Sequence, residues 1–146
     1  MNRLQVLYLH ACVFLTAATG AGYAWMKYGM QTEDPFAVVN HPMQPFLLSA
    51  HVVIAPLLVF GFGWAFAEHI WPKFVQKNAP QRRSGLWSMG AIVPMVLSGY
   101  LMQVTTADAP RQAMAVAHWI ASALFVLAYS VHLITKPERP LSGTAS

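Results

Sequence analysis

Charge is what this chain has least of. Asp, Glu, Lys and Arg make up only 10% of its 146 residues, against 56% hydrophobic, whereas a soluble domain carries roughly a quarter charged residues. So few charges cannot cover a water-facing surface, which excludes an ordinary soluble globular enzyme. Cysteine is nearly absent too. The single Cys12 excludes an intramolecular disulfide framework, a thiolate zinc site, an iron–sulfur cluster held by this chain alone and any attachment that needs two cysteines. The net charge is +4, yet no basic block with interleaved aromatics is present, so nucleic acid is not an expected partner. The length, residues 1–146, suits a single domain.

The scarce charges leave four long gaps: Leu4 to Met26, Pro35 to Ala67, Ser84 to Ala107 and Gln112 to Thr135. A helix crossing the hydrocarbon of a bilayer needs about 20 mostly apolar residues, and each gap supplies them. The second gap begins with Asn40, His41, Pro42, Gln44 and Pro45, a polar, turn-rich run, so its helix is expected to start near Pro45. The expected fold is all-α: an integral-membrane four-helix bundle with helices over residues 4–27, 45–71, 84–104 and 112–135, surrounded by lipid. Arg3, Lys73, Lys77, Arg82, Arg83, Lys136 and Arg139 fall on one side of such a bundle, and only Lys27 and Arg111 on the other. The positive-inside rule then places both termini and the 72–83 loop in the cytoplasm, with the 27–44 and 105–111 connections outside. Residues 1–25 also read as a secretory signal, but His10 is an unusual cost in a disposable segment, and the expectation is that they stay. Tyr23, Trp25, Tyr28, Trp71, Trp87 and Tyr100 stand near helix ends, as interfacial anchors do.

Six histidines remain: His10, His41, His51, His69, His118 and His132. Ionisable groups inside a membrane are expensive and usually mark a functional site. At 1.5 Å per residue, His51 and His118 lie roughly 9–10 Å in from the outer side, while His10 and His132 lie about 10 and 6 Å in from the cytoplasmic side. The helix directions therefore yield an outer pair, His51 with His118, and an inner pair, His10 with His132. His118 and His132 are fourteen residues apart, two heptads, which keeps them on one seam of a left-handed bundle. The eighteen-residue step from His51 to His69 mismatches that spacing by about 6 Å. His10 is therefore the preferred inner partner of His132, with His69 as the alternative.

Paired imidazoles from facing helices suit the iron of a haem, whose two axial positions they fill. Zinc wants three or four converging ligands, and no carboxylate or thiol stands at these depths to complete a set. The lack of Asp and Glu inside the gaps also weakens a proton or cation transporter. Gly20, Gly22, Gly61, Gly63, Gly90 and Gly99 either admit a flat macrocycle or serve ordinary close helix packing. Arg82, Arg83 and Lys136 are candidate partners of inner haem propionates, and Arg111 or Lys27 of outer ones, with topogenic charge as the simpler reading. The rival interpretation of the histidines is a cofactor-free structural or assembly subunit in which each bonds across a helix interface. A third keeps one haem, at His51 and His118.

With one His from the first helix, one from the second, two spaced by fourteen on the fourth and none on Leu86–Gln103 of the third, the chain resembles the bacterial four-helix di-haem cytochrome b561 class. The resemblance covers nearly the whole chain. It implies two b haems, held by His10, His51, His118 and His132, in a multi-pass protein of the bacterial inner membrane. It further implies electron exchange between a membrane quinone and a redox partner, in an electron-transfer subunit of a larger respiratory complex rather than a stand-alone enzyme. His69 is extra to the pattern and is open as a further ligand, a quinone contact or a surface residue. His41, in the longest outer loop, suits a quinone head group or a docking protein, with plain solvation as the simpler expectation.

Overall fold

The computed structural model describes residues 2–76 and 82–135. Those residues form helices and connecting turns, with no strand among them. Helix α1 (Arg3–Ala24) runs on through a π-helical turn, Trp25–Gly29; α2 (Gln44–Ala65) continues through a second, Phe66–Ile70, into the short α3 (Trp71–Val75); α4 (Arg82–Val104) and α5 (Asp108–Ile134) follow. Among the described residues, four segments are long and apolar enough to cross a membrane: Arg3–Gly29, Gln44–Val75, Gly85–Val104 and Asp108–Ile134. The second runs four residues past the expected 71, because the backbone passes Ile70 as a widened turn and not as a break. The fourth starts at Asp108 and not 112, since Pro110 in the first helical turn costs no hydrogen bond there.

Two compact units divide at Trp71–Pro72, and each is an antiparallel hairpin of two long helices. In the first, α1 opens with a capping box. Asn2 Oδ1 accepts from the Gln5 N–H at 2.9 Å while Gln5 Oε1 accepts from the Asn2 N–H at 2.7 Å, satisfying two N–H groups a helix start would leave unpaired. The Gln5 amide, buried under α2, also donates to Glu68 Oε2 at 2.7 Å, and the Trp64 indole donates to Glu68 Oε1 at 2.8 Å. The one carboxylate inside the Gln44–Val75 segment is thus hydrogen-bonded on both oxygens. At the other end, the Asn40 amide donates to the Lys27 carbonyl at 2.9 Å, tying the 30–43 loop to the end of the first span.

Both seams mix small residues with larger apolar ones. Cys12, Val13 and Thr16 of α1 are buried with Leu58, Gly61 and Ala65 of α2, as are Ser88, Ala91, Ile92, Met95 and Ser98 of α4 with Ala121 and Phe125 of α5. The small residues let helix backbones approach closely, the usual mode of association where lipid removes the hydrophobic drive. Phe14, Val53, Val93 and Leu127 on the outward faces remain exposed, an apolar surface compatible with lipid.

Candidate functional site

His51 and His118 are placed by the same device, built separately in each hairpin. His51 turns its ring from α2 onto α1, with Nδ1 3.0 Å from the Thr16 carbonyl oxygen and 3.4 Å from Thr19 Oγ1. A carbonyl oxygen only accepts, so Nδ1 carries the proton and donates it. Thr19 spends its own hydroxyl proton on the helix behind it, 2.7 Å from the Leu15 carbonyl and 3.2 Å from that of Thr16. Its oxygen therefore faces the imidazole as an acceptor. In the second hairpin His118 Nδ1 lies 2.8 Å from the Met95 carbonyl and 3.5 Å from Ser98 Oγ. Ser98 Oγ in turn bonds the Pro94 carbonyl at 2.6 Å and that of Met95 at 3.1 Å.

Glycine makes room for both rings. A Cβ on Gly20 would stand 2.8 Å from His51 Cε1, and one on Gly99 would stand 3.1 Å from His118 Cε1. These two glycines are thus filled by imidazole. Gly22 is covered by Leu47 and Gly61 by the Tyr8 ring, while Gly63 and Gly90 have nothing within 4 Å.

The correspondence extends along the helices. Cys12, Val13, Thr16, Thr19 and Gly20 of α1 recur as Ala91, Ile92, Met95, Ser98 and Gly99 of α4, each seventy-nine residues later. Seven residues after each histidine, Leu58 and Phe125 are buried in the two seams. Thr16 and Met95 share no side-chain chemistry, and the Thr16 hydroxyl is buried with no hydrogen-bond partner. What the hairpins share at that position is the carbonyl.

Chemically, a proton held at Nδ1 leaves Nε2 as the nitrogen that a neutral imidazole offers to a metal. The hydrogen bond from Nδ1 fixes ring rotation and raises ligand basicity. His51 and His118 are both half-buried.

The inner candidates differ. His132 lies on α5 opposite the start of α4, where a Cβ on Gly85 would be 3.9 Å from its Cε1. The Gly85–Gly99 interval thus equals that from His118 to His132, fourteen residues, as an antiparallel register requires. His10 sits half-buried on α1, two residues after Tyr8, whose ring fills the notch at Gly61 and whose hydroxyl donates to the Leu57 carbonyl at 3.0 Å. His69 lies in the π-helical turn beside Glu68, and such turns recur at functional sites. His41 Nδ1 accepts from the Met43 N–H at 3.1 Å, which gives it a part in the turn ahead of α2.

Arg82 and Arg83 open α4; Arg111 is exposed in the first turn of α5. Lys77, Lys136 and Arg139 lie outside the described residues. Lys27 Nζ stands over the Tyr23 and Tyr28 rings, 5.7 and 5.3 Å from their centroids. Sequence reasoning missed Thr16, Thr19, Met95 and Ser98, although the hydroxyl–glycine pairs Thr19-Gly20 and Ser98-Gly99 were a usable signal. No family model, curated protein or solved structure matches the chain.

Proposed function

We propose that the protein is a membrane b-type cytochrome that carries electrons across the bilayer between a quinone and a redox partner, as a subunit of a respiratory complex of the bacterial inner membrane. The observation that carries this reading is the matched Nδ1–carbonyl bond of His51 and His118. Each hairpin contributes one imidazole oriented through Nδ1, which leaves Nε2 as the nitrogen that would ligate a metal. A haem held by such residues would supply a one-electron iron couple. In the proposal His51 and His118 hold the outer group, and His132 with His10 holds the inner one, His69 being the alternative to His10. Arg82 and Arg83, which open α4 and whose side chains lie outside the described residues, would neutralise the inner propionates.

A second reading is favoured by the same hydrogen bonds: His51 and His118 tie the two helices of each hairpin together in a cofactor-free subunit. A dithionite-reduced minus oxidised visible spectrum, with haem quantified as the pyridine adduct per chain, separates the two. Two b haems per chain are expected. One would reduce the site to a single pair, and none, in folded protein made with haem available, would retire the cytochrome reading.

Orientation has its own test. Phe36 is 89% exposed in the 30–43 loop, Gln76 is exposed past α3, and the native Cys12 is buried. In intact cells a membrane-impermeant maleimide is expected to label Phe36→Cys and to reach Gln76→Cys only after lysis. The reverse pattern would invert the topology.

A further inference from the structure

We infer that Thr19 and Ser98 are positioning residues that raise the electron-donating power of His51 and His118, and through it lower the reduction potential of the iron these ligands hold. The inference rests on the cytochrome reading and assigns a role to two side chains that reading does not use.

Both hydroxyls are oriented before the imidazole is considered. Ser and Thr inside a helix commonly bond back to a carbonyl one turn earlier, and here those bonds are short, 2.7 Å from Thr19 to Leu15 and 2.6 Å from Ser98 to Pro94. With the proton committed there, each oxygen can meet the Nδ1–H only as an acceptor. The N–H is therefore shared between a carbonyl, at 3.0 or 2.8 Å, and a hydroxyl oxygen, at 3.4 or 3.5 Å. Acceptors at the far nitrogen increase the basicity of the metal-binding one. A more basic imidazole stabilises ferric over ferrous iron, because it donates more charge to the more electron-poor state.

The two hydroxyl contacts are alike, at 3.4 and 3.5 Å. Recurrence of the arrangement in two hairpins of otherwise different sequence makes incidental helix back-bonding a poor account of it. Thr105 shows the incidental case, with Oγ1 2.7 Å from the Leu101 carbonyl just past the end of α4.

The test is a potentiometric titration of the haem-loaded protein, comparing Thr19→Val and Ser98→Ala with wild type and with Thr105→Val. One of the two waves is expected to move to more positive potential in each of the first two variants, with haem content retained. Thr19→Ser and Ser98→Thr are expected to restore the wild-type value, and Thr105→Val to leave it alone. Electron paramagnetic resonance of the oxidised protein gives a second readout, since its g-values follow axial-ligand basicity. Should Thr19→Val fail to fold, Thr19→Ala and the Ser98 pair carry the same comparison. Two haems with unmoved or lowered potentials would overturn this inference alone. No haem in the wild-type protein would overturn it together with the cytochrome reading.

Discussion

Replacing His118 by alanine is expected to remove one haem per chain, halving the pyridine-adduct count while the protein still inserts in the membrane. The ring being deleted is the donor to the Met95 carbonyl at 2.8 Å and the occupant of the notch at Gly99. Its loss takes away a proposed ligand and leaves space beside the Met95 carbonyl and the Ser98 hydroxyl. That space suggests a chemical rescue: in His118→Gly, free imidazole in the buffer is expected to restore the missing absorbance, because the Met95 carbonyl remains to orient it. His51→Ala is expected to give the same loss. His41→Ala is expected to keep both haems, since that ring bonds the Met43 N–H in the loop before α2. Unchanged spectra in both His51→Ala and His118→Ala would sink the cytochrome proposal.

The second large effect comes from adding one methyl group. At Gly20 a Cβ would meet His51 Cε1 at 2.8 Å and Nδ1 at 3.0 Å, closer than real Cβ contacts come. The imidazole is the neighbour on that side, so Gly20→Ala is expected to push it off the Thr16 carbonyl and cost the chain the haem that the proposal assigns to His51. At Gly99 the approach is 3.1 Å to Cε1 and 3.2 Å to Nδ1, which a small ring displacement relieves. Gly99→Ala is accordingly expected to keep its haem with a lowered thermal midpoint. Gly63→Ala and Gly90→Ala place a methyl in open space and are expected to match wild type in haem content. The order of the four variants is the result to check, by haem per chain and melting temperature on the same preparations. Wild-type haem content in Gly20→Ala would show that His51 is not held as a ligand by this packing.

Part of the site was legible in one dimension and part was not. His51 and His118 stood out because a polar ring at membrane depth is costly wherever it points. The glycines were legible only as small residues. Apart from the hydroxyl residue that precedes Gly20 and Gly99, nothing in the local pattern tells that these two admit an imidazole while Gly63 and Gly90 face open space, because that depends on the register of the opposing helix. The repetition of the two hairpins was hidden for a related reason. From glycine to histidine the chain runs thirty-one residues in the first hairpin and nineteen in the second. The longer 30–43 loop shifts the two halves out of any single period.

The sequence by itself determined that the chain has four spans of membrane length, because hydrocarbon excludes charge and the position of every Lys, Arg, Asp and Glu is written in the chain. It also determined which polar rings those spans carry. Only the tertiary structure decided what each ring does there. A hydrogen bond from Nδ1 to the carbonyl of Thr16 or Met95 depends on how two antiparallel helices are set against each other to within an ångström, and residue order encodes that only through the packing it produces.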